Sequence, residues 1–184
     1  MALRFGLPEV ADLLARAGGA VSVTREEEFV AACARGDEET ARRIRSERPD
    51  LPAALADAQL RLLPELAAQG CGEAVRAMVR LGWPIAVRAG DWDASALNHA
   101  VFRGDAALAK FLLEHGASWK EMHGHGDNVN GTLSWASRNR PHSQGDWVGC
   151  ARALLDHGLP LDQADLDYGP DVTAFFSAER AGRR

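Results

Sequence analysis

The chain has 184 residues, 46% of them hydrophobic, which is enough for one domain with a sizeable core and argues against a disordered chain. Its net charge of −5 argues against a general affinity for nucleic-acid phosphates. No segment approaches the roughly 18 consecutive apolar residues that a membrane-spanning helix needs, so no membrane insertion is expected.

Ala and Leu dominate while Val and Ile are sparse, a balance that favours helices. Among the 21 basic residues only Lys110 and Lys120 are lysines, a skew expected of a GC-rich, bacterial genome. The opening residues lack a long apolar run and soon meet Glu9 and Asp12, so no signal peptide is read and the expected location is the cytoplasm. Cys33, Cys71 and Cys150 are widely spaced and odd in number, as free thiols in a reducing compartment would be.

In chain order, residues 8–17 read as an amphipathic helix with Val10, Leu13 and Leu14 on its apolar side and Pro8 near its first turn. Residues 1–24 are therefore expected to form an N-terminal capping helix or an incomplete repeat. Phe29 to Asp37 and Ala41 to Arg48 give a helix pair closed by Pro49, Asp50 and Leu51. Its basic run, Arg42, Arg43, Arg45 and Arg48, lies beside Asp37, Glu38, Glu39 and Glu47 and reads as a solvated mixed-charge face. A second pair runs from Leu63 to Gly70 and from Ala77 to Gly82. A third runs from Leu97 to Arg103 and from Ala107 to Glu114, with Leu108, Phe111 and Leu112 on one face. A fourth runs from Leu133 to Ala136 and from Ala153 to Gly158. Residues 170–179 are expected to close the array through Val172, Phe175 and Phe176, with residues 180–184 as a frayed tail.

These pairs repeat. Gly36, Gly70 and Gly104 are 34 residues apart, and so are Phe29, Leu63 and Leu97. Gly82 and Gly116 keep the same step, which unrelated helices in a bundle would not. Leu133 follows Leu97 by 36 residues and precedes Leu154 by 21, against 15 from Leu97 to Leu112. The fourth unit thus carries two extra residues before its first helix and six between its helices, near the polar stretch 137–145.

The sequence Ser95-Ala96-Leu97-Asn98-His99-Ala100, followed by Arg103-Gly104-Asp105 and by Phe111-Leu112-Leu113-Glu114-His115-Gly116-Ala117, resembles the ankyrin repeat. Ser95-Ala96 stands where the family has Thr-Pro, and Asn98 where it has His. Gly131-Thr132-Leu133-Ser134-Trp135-Ala136 is a second such copy. The resemblance covers residues 25–165 as about four repeats, with residues 166–184 as C-terminal cap and tail. It implies an all-α solenoid of stacked helix-turn-helix units with projecting connectors, and a non-catalytic protein-binding module. Partners in this family lie against connector tips and the first-helix surface before the Gly turn. Carried across, that surface is Asp91, Trp92, Ala94, Phe102, Arg103, Asp127, Asn128, Asn130 and Arg138, with Gln69 and Asn139 beside them and His125 at the glycine-rich tip.

Three segments bear on chemistry. His123, His125 and Asp127 alternate in an extended connector and point to one face; they read either as an exposed hairpin tip or as part of a zinc or iron site, which would make the chain a metal-dependent protein or enzyme on the repeat scaffold. Trp92, between Asp91 and Asp93, reads either as a partner anchor or as filling the core edge. Trp83 and Trp119, each just past a closing glycine, read as structural packing, with Trp135 and Trp147 completing the set. No nucleotide-binding or nucleophile-elbow motif occurs, so no enzyme, metal or organic cofactor is expected, and the expected partner is another protein rather than nucleic acid or membrane.

Overall fold

The computed structural model describes residues 23–164 and 166–183. The capping helix expected over residues 8–17 lies outside them. Helices α1 (Arg25–Ala34) and α2 (Glu38–Glu47) form the first pair. The short α3 (Asp57–Leu60) leads into α4 (Leu62–Gln69) and α5 (Gly72–Arg80). Strands β1 (Arg88–Ala89) and β2 (Ala94–Ser95) make a hairpin ahead of α6 (Ala96–Arg103) and α7 (Ala106–Glu114). Helices α8 (Val129–Asn139) and α9 (Trp147–Asp156) form the fourth pair, and α10 (Pro170–Gly182) closes the array.

The local sequence sets these boundaries. Thr24 and Glu27 cap α1 reciprocally, each side chain meeting the other's backbone N–H. A Gly-Asp pair makes three of the four inter-helix turns. Asp37, Asp105 and Asp146 each follow a glycine and accept from the backbone N–H three residues on, at 3.1, 2.9 and 2.7 Å. Gly36 and Gly104 take φ values of 71° and 70°, a left-handed turn that a side chain resists. The second helices of the last two pairs end on a histidine: His115 Nδ1 donates to the Phe111 carbonyl and His157 Nδ1 to the Ala153 carbonyl, both at 2.8 Å.

Stacking places α4 against α6 and α6 against α8 in one layer, with α5, α7 and α9 in the other. Phe29, Leu63, Leu97 and Leu133, which carry the repeat register, are all fully buried. Their periodicity therefore records the one position in each unit that every neighbour must cover. Trp83 and Trp119 are buried as packing residues; Trp83 stacks on Phe29 at 5.7 Å and its indole N–H donates to the Leu60 carbonyl. Arg42 pairs with Glu38, Arg43 with Glu47, and Arg48 with Glu26 and Asp50, so the basic run is a mixed-charge face.

The C-terminal segment is strapped down by polar groups along one side of α8. Asn130 donates to the Gln163 carbonyl and accepts from the Tyr168 hydroxyl, Ser134 donates to the Asp167 carbonyl, and Ser137 accepts from the Gly169 N–H. Val172 and Phe176 of α10 are buried and Phe175 lies under Arg152. The helix runs to Gly182, and Arg180 donates to the Leu161 and Ala164 carbonyls, so residues 180–182 are helical where a frayed tail was expected.

Among the described residues no helix is long and apolar enough to cross a membrane.

Candidate functional site

Two hairpins project from the last two units and dock side by side. In the first, Arg88 pairs with Ser95 and Ala89 with Ala94, leaving residues 90–93 as the tip. In the second, Met122 pairs with Asn128, leaving residues 123–127. The Gly124 N–H donates to the Trp92 carbonyl at 2.8 Å, joining the tips. A Cβ on Gly124 would lie 3.0 Å from that carbonyl oxygen, so the close approach uses the missing side chain.

Between these tips and helices α6 and α8 lies a groove of about 720 Å³ lined by Asp91, Trp92, Phe102, His123, His125, Asp127, Gly131, Thr132 and Trp135. Its floor is a continuous aromatic array. Trp92 meets His123 at 5.1 Å, His99 at 4.8 Å and Phe102 at 5.5 Å. Phe102 then stacks on Trp135 at 5.5 Å with the rings 10° apart. Trp135 is 47% exposed, an unusual state for the largest apolar side chain.

Electrostatics divide the groove's histidines from its acids. Burial lowers the His99 pKa to about 4, with the Arg103 charge adding to it and the Ala89 backbone opposing. Burial also holds His123 below the usual imidazole range, against the pull of Asp127. His142, above Phe102 at 6.1 Å, is lowered by burial and by Arg103. The cationic form of both rings under the tips, His99 and His123, is thus disfavoured, and the acids at the groove are Asp91 and Asp127.

The six residues inserted between α8 and α9 fold back toward the preceding unit. The Asp146 N–H donates to the Gly104 carbonyl at 2.8 Å, and a Cβ on Gly104 would meet Gly145 Cα at 2.5 Å. The insertion ahead of α8 is absorbed differently. Leu97 is the second residue of α6, whereas α8 begins four residues before Leu133.

No family model matches the chain, and no curated protein matches it. Among solved structures, the ankyrin repeat domain of Bcl-3, a member of the IkappaB protein family, superposes with a TM-score of 0.53 at 23% identity, over 88% of this chain and 69% of that one. An ankyrin repeat domain from Acinetobacter baumannii AYE superposes with a TM-score of 0.55 at 15% identity, over 100% of this chain and 91% of its own. The chain has the ankyrin-repeat fold.

Within that ankyrin-repeat frame, the structure gathers Asp91, Trp92, Phe102, His125 and Asp127 into the one groove. Other expected contact residues are used elsewhere. Ala94 is fully buried in the hairpin stem, and Asn130 is 3% exposed and holds Gln163 and Tyr168; both are corrected to structural residues. The side chain of Asn128 caps α8 by accepting from the N–H groups of Asn130 and Gly131. Arg103 donates to the Ala68 carbonyl of the second repeat, and Arg138 pairs with Asp167. Trp135, read from the sequence with the packing tryptophans, is instead exposed in the groove.

His123 and His125 do not form a metal-ligating set with Asp127. The His125 N–H donates to His123 Nδ1 at 3.3 Å, and the two rings are 5.8 Å apart at 74°. Among the described residues no group of three or more His, Cys, Asp or Glu is placed to hold a metal ion. Cys33 and Cys150 are buried, and burial pushes the Cys33 thiol up to about 12, far from the thiolate that nucleophilic chemistry needs.

Proposed function

We propose that the protein is a non-catalytic binding module that holds another protein against the groove between its last two hairpins and helices α6 and α8. The observation that carries this reading is the stacked Phe102–Trp135 pair, continuous with Trp92, left open to solvent on a concave surface. Burial of such rings by a partner removes apolar area from water and supplies the aromatic anchors that dominate interface energies. Both ankyrin-repeat neighbours share the fold on which this reading rests. The bacterial cytoplasm is the expected setting.

The reading is tested with a photo-reactive amino acid placed at Met122 or His125 on the groove rim, and at Lys110 or Glu114 on the outer surface of α7. Rim positions should trap a protein partner in cells and outer positions should not. Equal trapping from both, or trapping from α7 alone, would contradict it.

A further inference from the structure

The groove's charges are unbalanced. Nearby acids have partners: Asp93 pairs with Arg88 at 3.1 Å and Asp167 with Arg138 at 2.7 Å. Among the described residues Asp91 and Asp127 have no ion-pair partner, and no arginine or lysine lines the groove. Asp127 Oδ1 accepts from the Asn128 N–H at 2.7 Å. Its other oxygen lies over Gly131, where a Cβ would come within 2.0 Å, so the carboxylate rests against the start of α8 beside the rings. Both Asp91 and Asp127 are exposed at the groove, so water screens each carboxylate in part, and a cation held there gains most if it also lies on the rings.

The rings are uncovered in the same sense. Elsewhere in the chain aromatic rings carry an arginine: Arg80 lies 5.6 Å over Phe111, Arg140 5.7 Å over Trp147, and Arg152 4.9 Å over Phe175. Among the described residues Trp92, Phe102 and Trp135 carry none. Phe102 covers one side of Trp135, and the 47% exposure leaves the rest of that indole available. A flat guanidinium suits such a ring and forks onto a carboxylate as well, whereas a lysine ammonium is a more strongly hydrated point charge.

Taking the groove as the binding face proposed above, we infer that its partner inserts an arginine side chain, stacked on the Trp135–Trp92 aromatic floor and paired with Asp91 and Asp127. The partner segment is basic, in keeping with a chain of net charge −5.

The test uses the whole chain and the probe acetyl-Gly-Arg-Gly-amide, with matched Lys, Leu and Glu tripeptides, titrated while the indole N–H resonances of Trp92 and Trp135 are followed by NMR. The Arg probe should shift both indoles saturably, and binding should weaken at least about fivefold in an Asp91→Asn, Asp127→Asn double variant. Raising salt should weaken it too. Unshifted indoles, equal shifts from the Lys, Leu or Glu probe, or unchanged binding by the double variant would overturn the inference. If it fails while rim cross-links persist, the groove remains the binding face and only the occupant's chemistry is wrong. If rim cross-links are missing as well, the face itself is wrong.

Discussion

Thr132 Oγ1 donates to Asn98 Oδ1 at 2.7 Å, linking the first helices of the third and fourth repeats through a buried hydrogen bond. Asn98 Nδ2 donates in turn to Ser95 Oγ and to the Glu121 carbonyl, so one carboxamide ties together a helix cap, the next connector and the next repeat. Thr132→Val keeps the shape and leaves Asn98 Oδ1 without this donor. The expected cost is about 1–3 kcal/mol, or several degrees of melting temperature. Asn98→Ala should cost more, since it removes three side-chain hydrogen bonds, to Ser95, Glu121 and Thr132. Chemical unfolding of both variants checks the order; equal stability of Thr132→Val and wild type would mean the bond is replaced by water.

Glycine substitutions separate backbone clashes from side-chain ones. Gly104 has φ 70° and backbone of the inserted loop 2.5 Å from its would-be Cβ, so Gly104→Ala must displace that loop. Gly116 has φ 100° with nothing within 4 Å and bears only the conformational penalty, about 1 kcal/mol. Gly104→Ala should therefore melt well below Gly116→Ala. The reverse order would show that the 141–146 loop is not packed on the Gly turn.

The same core predicts the effect of truncating register residues. Leu97 and Leu112 are fully buried, and alanine at either should cost roughly 2–5 kcal/mol. A loss of a few tenths in urea unfolding would mean that these positions do not carry the stack.

The buried imidazole of His99 makes stability depend on pH. Its folded pKa of about 4 lies below the unfolded value near 6.5, so the unfolded chain takes up the proton first as pH falls. The stability is present in full above about pH 6.5 and is lost progressively between 6.5 and 4, at no more than about 1.4 kcal/mol per pH unit. His99→Phe keeps a ring against Trp92 and removes the titration. Its stability should fall less steeply over this window than that of the wild type. The opposite contribution of Glu121, whose carboxyl is raised by burial, is common to both proteins and cancels in the difference. Parallel curves would contradict the assignment.

The fold was legible in the sequence because repeat stacking constrains each unit alike. Phe29, Leu63 and Leu97 must fill the same place, and Leu97-Asn98-His99-Ala100 followed by Arg103-Gly104-Asp105 spells out a helix and its turn. Trp92 and Phe102 could be placed on this side because the regular third repeat fixes its own register, and Asp127 because it lies in the connector of the next repeat. The role of Asn130 was not legible, because its partners, Gln163 and Tyr168, are more than thirty residues away and belong to the C-terminal strap. Trp135 was missed for a related reason. Its register place is that of His99, 36 residues earlier, but His99 is covered by Trp92, whereas among the described residues no third hairpin covers Trp135.

The central claim, that the aromatic groove is where a partner protein is held, is tested most directly by calorimetric titration of the cross-linked partner, once purified, against wild type, Trp135→Ala and Lys110→Ala. Trp135 is largely outside the core, so its alanine variant should keep nearly the wild-type melting temperature while losing about 2 kcal/mol or more of binding, roughly a 30-fold weaker Kd. Lys110→Ala, on the outer surface of α7, should bind as the wild type does. Full affinity in Trp135→Ala, or an equal loss in Lys110→Ala, would contradict the account.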